Sequence, residues 1–183
     1  MLLTVETKLC SNDGQILSHK KQKANSLTGN YLLQYYSIRD GPNATIKDTS
    51  GVNQTYTTSS IQDFANDSTS LWGIVVGTGS RANSITDFQL QSQIPAGSGL
   101  GQMLHSLSFK RPPAFVNNTV SFPMWRTFIN MSGGTIVVNE CGIYSRYVSG
   151  SAKYLMTERT VISPIVVNDG HSLVMLYTIG VSV

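Results

Sequence analysis

Glu140 and Glu158 come nearest to a catalytic pair. The chain has only three glutamates, and these two lie in its C-terminal half on stretches that alternate like strands. Two carboxyls about 5 to 9 Å apart can divide acid and nucleophile or base roles in glycoside hydrolysis. A plainer reading competes with this one. Glu158 is followed by Arg159, and the candidate partners for Glu140 are Arg146 or Arg126 across a hairpin and Arg159 in the neighbouring strand. Opposite charges facing each other across strands are ordinary stabilising pairs. The plainer reading is the stronger, and it pairs Glu140 with Arg159 as a structural ion pair.

Other chemistries find less. His19, His105 and His171 are far apart in sequence and from the acids, and Cys10 and Cys141 are too few for a metal site or a disulfide framework. Both cysteines are expected as small buried apolar groups. The stretch Gly77 to Ser84, GTGSRANS, looks like a phosphate loop only superficially, because the closing Lys-Ser/Thr is missing; there is no GxSxG elbow either. The expectation is therefore no catalytic residue, no metal and no cofactor.

The charge balance adds exclusions. A formal charge of +3 comes from 13 basic against 10 acidic residues, and the one dense basic cluster is His19 to Lys23. A nucleic-acid footprint needs a stripe of Lys and Arg with stacking aromatics, so no nucleic acid is expected, and the lysines read as a solvated turn or edge strand. Trp72, Trp125, Tyr144, Tyr147 and Tyr154 leave one alternative open, a glycan platform on a sheet face, although most such aromatics are core. Five Asn-x-Ser/Thr sequons, at Asn43, Asn53, Asn66, Asn117 and Asn130, read as turn chemistry. Without a signal-peptide pattern or an apolar run of about 18 residues, no membrane association is expected and synthesis is placed in a cytosol.

The elements that must position these residues are mostly strands. Leu3, Val5, Thr7 and Leu9 alternate with polar residues before Ser11-Asn12-Asp13-Gly14, predicting a hairpin with Gln15 to Ser18. After an Asn25-Ser26 cap, Leu27, Tyr31 and Tyr35 recur at helical spacing, predicting one helix over residues 26 to 36. Arg39 to Asn43 is a turn signal, Thr45 to Asp48 and Gln54 to Thr58 a second hairpin, Gln62 to Ser70 a loop and Leu71 to Val76 a buried strand. Ser84 to Ile94 is expected as a short helix capped by Thr86, burying Phe88 and Leu90. From Leu104 five strands follow, and Phe128 to Arg146 reads as two strands folded back around Ser132-Gly133-Gly134. Leu173 to Val183 is apolar on both faces, which places it centrally in a sheet. The fold class is mainly β: an antiparallel sandwich of jelly-roll type with one short helix near the N-terminus. The 183 residues form one domain, with residues 1–68 packed on a core of residues 69–183.

The order of features then carries a resemblance. Gly77-Thr78-Gly79, Asp87-Phe88-Gln89-Leu90, Asn139-Glu140-Cys141-Gly142-Ile143-Tyr144, Arg159, Pro164, Gly170 and Tyr177-Thr178-Ile179 follow one another over Leu71 to Val183. This series is similar to that of small virion structural proteins of tailed bacteriophages. The resemblance implies an assembly subunit of capsid decoration, neck or tail, made in the host cytoplasm and located in the virion, with copies of itself and other virion proteins as partners. Charged residues make up 13% of the chain, about half the usual share. Such a neutral polar surface suits a packed subunit. The contact surfaces are expected around the N-terminal hairpin and the loop Gln62 to Ser70.

Overall fold

Alternation along the first residues produces the first hairpin: Leu3 and Val5 are buried on one face of β1 (Leu2–Cys10), and Glu6 and Lys8 lie on the other. Gly14, at φ 84°, supplies the left-handed turn into β2 (Ile16–Lys23), whose lysines lie along a sheet edge. The protein is described by a computed structural model covering residues 2–24, 26–38, 44–56, 61–149 and 151–182. The turn expected at Arg39 to Asn43, the cap at Asn25 and the strand ends at Thr57, Thr58 and Val183 lie outside the described residues.

Next come the two-residue β3 (Ser26–Leu27), the helix α1 (Gly29–Ile38) and a small hairpin of β4 (Ala44–Lys47) and β5 (Asn53–Tyr56). A short β6 (Ile61–Gln62) precedes β7 (Gly73–Gly77), buried along its whole length. Short segments β8 (Leu104–His105), β9 (Phe109–Lys110) and β10 (Ala114–Val116) lead into four long strands. These are β11 (Thr119–Ile129), β12 (Ile136–Ser149), β13 (Ser151–Val167) and β14 (Ser172–Ser182).

The strands form antiparallel sheets. One runs β10–β11–β14–β1–β2, with β8 and β9 also paired to β11. A second runs β3–β13–β12–β6, with β7 also on β12, and β4 with β5 stands apart. Strand β14 lies between β11 and β1, the central place its two apolar faces predict. The main core draws Leu3, Val5, Phe128, Met175 and Tyr177 from the first sheet and Ile74, Val76, Val138, Ile143 and Ile165 from the second, so the two sheets pack through their inner faces. A smaller cluster of Trp72, Val75, Leu90, Tyr144 and Met156 lies on the outer face of the second sheet. Ile46, Tyr147 and Leu155 seal the small hairpin.

Three expectations are corrected. The segment Phe128 to Arg146 is not a hairpin: β11 pairs with β14, β12 pairs with β13, and the Ser-Gly-Gly stretch crosses from one sheet to the other. Asn130 makes the corner. Its buried amide donates to the carbonyls of Gly134 at 2.7 Å and Val167 at 2.8 Å, while its oxygen accepts from the backbone N–H and hydroxyl of Ser132. Ser84 to Ile94 forms no helix, because the N–H groups of Gln91 and Ser92 donate to Glu140 rather than to helical carbonyls. The helix runs over Gly29–Ile38 and not 26 to 36, since Ser26 and Leu27 are spent on pairing with β13. Asn30 and Gln34 face inward at 8% and 4% exposure, while Leu32, Tyr35 and Tyr36 are more than half exposed.

Candidate functional site

The outer face of β12 and β13 carries a buried charge network. Arg159 Nε donates to Glu140 Oε2 at 2.8 Å and Nη2 lies 2.8 Å from the same oxygen. Nη1 donates to Asp87 Oδ2 at 3.0 Å and Asn83 Oδ1 at 3.1 Å, and Nη2 to the Arg81 carbonyl at 2.9 Å. Glu140 Oε1 accepts from the N–H groups of Ser92 at 2.8 Å and Gly79 at 3.2 Å, and Oε2 from that of Gln91 at 3.1 Å. Burial alone would raise the Asp87 carboxyl, but the Ser84 N–H and the Arg81 and Arg159 guanidiniums outweigh it and hold it below its ordinary value.

The network pins the irregular segment 78–92 to the sheet, and the sheet has to accommodate it closely. A Cβ on Gly77 would lie 2.7 Å from Glu140 Oε1, and one on Gly79 would lie 2.5 Å from Gln91 Cβ and collide with the same carboxylate. These glycines are required by the approach of Glu140, a reason absent from local sequence. Asn139 Nδ2 donates to the Thr78 carbonyl at 2.8 Å, and the Leu90 N–H donates to the Tyr144 hydroxyl at 2.7 Å. Gly79, Asp87, Glu140 and Arg159 therefore meet in one lock, whose carboxylates are occupied by guanidinium and backbone donors.

Glu158 is on the opposite face, as alternation with Arg159 requires. It is fully buried between the sheets, accepts from the Tyr177 hydroxyl at 2.5 Å and from the Thr160 hydroxyl, and Cys141 Sγ lies 3.0 Å from that tyrosine oxygen. Burial pushes Glu158 up to about 8, against the pull of Thr160, Tyr177 and Arg159. The same desolvation raises the Cys141 thiol and the Tyr177 hydroxyl. Glu140 and Glu158 thus face different layers and do not flank a common substrate space.

Arg126 is not a partner of Glu140. Its side chain points from β11 into the interior, where Nε donates to the Ser106 carbonyl at 2.8 Å, Nη1 to Trp72 at 3.2 Å and Ile74 at 3.0 Å, and Nη2 to Asn66 at 3.1 Å and Thr69 at 2.7 Å. A guanidinium with its donors spent on carbonyls straps β7 and the preceding loop to the first sheet. Desolvation lowers it to about 10, opposed by Asp67. Sequence reasoning missed this strut, though Met124, Arg126 and Phe128 at alternate positions put it on the core face. Arg146 bonds Gln62 Oε1 at 3.1 Å and lies over the Trp72 ring.

The remaining candidates are dispersed. His19 pairs with Glu6 on the surface, and His105 accompanies Thr69 and is lowered to about 4 by burial and then by Arg126. Cys141 is buried, whereas Cys10 is half-buried, and both are free thiols. Trp72 and Tyr144 are buried in one cluster with half-buried Tyr154, Tyr147 is buried against the small hairpin, and Trp125 stacks on Phe109 in the other sheet at 5.6 Å, so the five aromatics do not share one exposed face. Among the described residues no group of three His, Cys, Asp or Glu side chains could hold a metal, and no helix is long and apolar enough to cross a membrane.

A cavity of about 350 Å³ opens where α1 meets the ends of both sheets. Phe122, Met124 and Ile179 come from the first sheet, Ile143 and Ser145 from the second, and Gln34 from the helix. Asp63 lies in its wall, accepting from Ser145 Oγ at 2.5 Å; burial raises its carboxyl, against the effects of Ser145 and Lys110. In comparisons with family models, curated proteins and solved structures, nothing matches the chain.

Proposed function

We propose that the chain is an assembly subunit of a tailed-bacteriophage virion, a component of capsid decoration, neck or tail that works through protein–protein interfaces. The observation that supports its interface part is the outward face of α1, while the virion setting rests on the resemblance of the residue series. Leu32 at 61% exposure and Tyr36 at 53% share one outward face, because residues four apart stand together on a helix, and Tyr35 at 54% lies between that face and the cavity it lines. Exposing that face while burying Asn30 and Gln34 reverses the usual arrangement, and a contiguous exposed apolar patch is the mark of an interaction surface. Ile16 and Leu17 on the edge strand β2 and Phe115 on β10 add exposed apolar side chains.

The charge clusters support the same reading. Those around Glu140, Glu158 and Arg126 are spent on holding loops and sheets together. A jelly-roll form belongs to the proposal as well: β11 to β12 and β13 to β14 each pass from one sheet to the other, the alternation between layers that a jelly roll needs.

Electron microscopy of purified particles bearing a label on this chain tests the reading directly, and absence of the label from the particles refutes it. In the same assay Leu32→Asp with Tyr36→Asp should leave the melting temperature of the isolated chain within about 2 °C, because both side chains face solvent, while abolishing incorporation. Incorporation at the parental level would remove the helix from the interface.

A further inference from the structure

We propose that the free edge of β2 binds an extended segment of another protein with acidic side chains at alternate positions, adding it to the first sheet as a further strand. β2 ends that sheet, and among the described residues no strand pairs with its outer side. The Ala24 N–H donates to the Leu3 carbonyl, which makes these two a hydrogen-bonded pair of the antiparallel ladder and fixes the alternation along β2. Gln22 and Lys20 therefore direct their backbone groups at β1, whereas Lys23, Lys21 and His19 direct theirs away from the sheet. That outward row of N–H and carbonyl groups needs acceptors and donors together at strand spacing, which an extended peptide has.

The side chains set the charge of the partner. His19, Lys21 and Lys23 stand opposite Lys8, Glu6 and Thr4 of β1 on the outer face of the sheet, away from the buried Val5 and Thr7. Glu6 is the only acid on either strand, with Lys21 Nζ 2.8 Å from its Oε1 and His19 Nε2 3.2 Å from its Oε2. Lys8, Lys20 and Lys23 have no carboxylate partner among the described residues. Residues of an added strand opposite His19, Lys21 and Lys23 share their face, so acids at every second position meet two ammonium groups and the imidazole. The side chains between them point the other way, toward the notch lined by Val5, Lys20, Ile162 and Ile165, where apolar residues fit. A second copy of this chain does not supply such a segment: no two of its acids are closer than Asp63 and Asp67, and β2 laid against its own copy sets lysines against lysines. Edge lysines can serve only to repel strands, but Ile16 and Leu17 on the same strand, at 56% and 48% exposure, work against that purpose and offer an apolar anchor. The site does not rest on the assembly reading, since the isolated chain contains the whole edge.

The test titrates the full chain with the capped peptide TEVEVEVT, read by calorimetry and by amide NMR shifts. Its comparators are TKVKVKVT, the acidic peptide carrying N-methyl groups on its glutamates, and a short oligothymidylate. The acidic peptide is expected to bind saturably, to move the amides of His19, Lys21 and Lys23, and to bind at least about tenfold more tightly than TKVKVKVT. N-methylation keeps the charges but removes the donors of the ladder, and should weaken binding at least about tenfold. Lys21→Gln with Lys23→Gln, both exposed, should weaken the acidic peptide about fivefold. The proposal is overturned if the acidic peptide does not saturate up to its solubility limit, if the shifts fall elsewhere, or if the lysine or N-methylated peptide binds as well. Oligothymidylate binding as tightly would make the edge a general polyanion site and overturn it too, as would unchanged binding by the folded double variant. Should that variant fail to fold, the ranking on the wild-type chain and the location of the shifts decide alone.

Discussion

Replacing Glu158 by Gln should change how stability depends on pH. Glu158 is fully buried and pushed up to about 8 from an ordinary value of 4.5, mainly by desolvation. Between those values the folded chain keeps a proton that the unfolded chain gives up, so the folded state binds more protons and stability falls as pH rises. The contribution is intact below pH 4.5 and is lost progressively as pH climbs toward about 8. At about 1.4 kcal/mol per pH unit, the loss by pH 7 is about 3 kcal/mol. Glutamine retains an acceptor oxygen and a donor facing Tyr177 and Thr160 but cannot ionise.

Urea unfolding of both proteins at pH 5, 6 and 7 provides the assay. The stability of Glu158→Gln relative to the parent should increase by about 2 to 3 kcal/mol from pH 5 to pH 7. Asp63, also raised by burial, is present in both proteins and cancels from the difference. Parallel curves, with the same difference at all three pH values, would show that Glu158 does not titrate differently in the folded state and would refute the argument.

Glu140→Ala leaves the Arg159 guanidinium buried without its main counter-charge and releases three backbone N–H groups, and should cost about 3 to 5 kcal/mol by chemical denaturation. An unchanged midpoint would remove Glu140 from the lock. Gly79→Ala pushes a methyl against the same carboxylate and Gln91, with an expected loss of about 1 to 3 kcal/mol and faster hydrogen exchange confined to segment 78–92; a neutral substitution would mean that the loop is not held as described. Arg126→Met removes the donors from five carbonyls at once and should lower stability by at least about 3 kcal/mol, loosening Asn66 to Ile74 first in hydrogen exchange. Uniform exchange in that segment would count against the strut.

The lock shows where reading the chain reaches its limit. Glu140 and Arg159 can be picked out as residue types on facing strands, but Asp87, Asn83 and the N–H groups of Gly79, Gln91 and Ser92 have no such signature. They come from a segment whose spacing imitates a short helix, and only the presence of a buried carboxylate redirects its backbone donors. Arg126 is similar: its acceptors lie 20 to 60 residues away along the chain. The helix misleads for a related reason. Periodicity identifies the apolar side of α1 but not whether that side meets the core or the solvent.

By itself the sequence determined the mainly β character, the hairpin of β1 and β2, the lysine-bearing edge and the central place of β14. The β character and the hairpin follow from side chains alternating with period two, the edge from clustered lysines and the place of β14 from apolar residues on both its faces, all properties that each strand carries locally. The tertiary structure alone decided that β11 and β12 belong to different sheets, that α1 buries Asn30 and Gln34 while exposing Leu32 and Tyr36, and that segment 78–92 is held by a buried ion pair. Those outcomes depend on desolvation: a charge or amide taken out of water must find partners, and the partners available are set by which distant segments the packed sheets bring together.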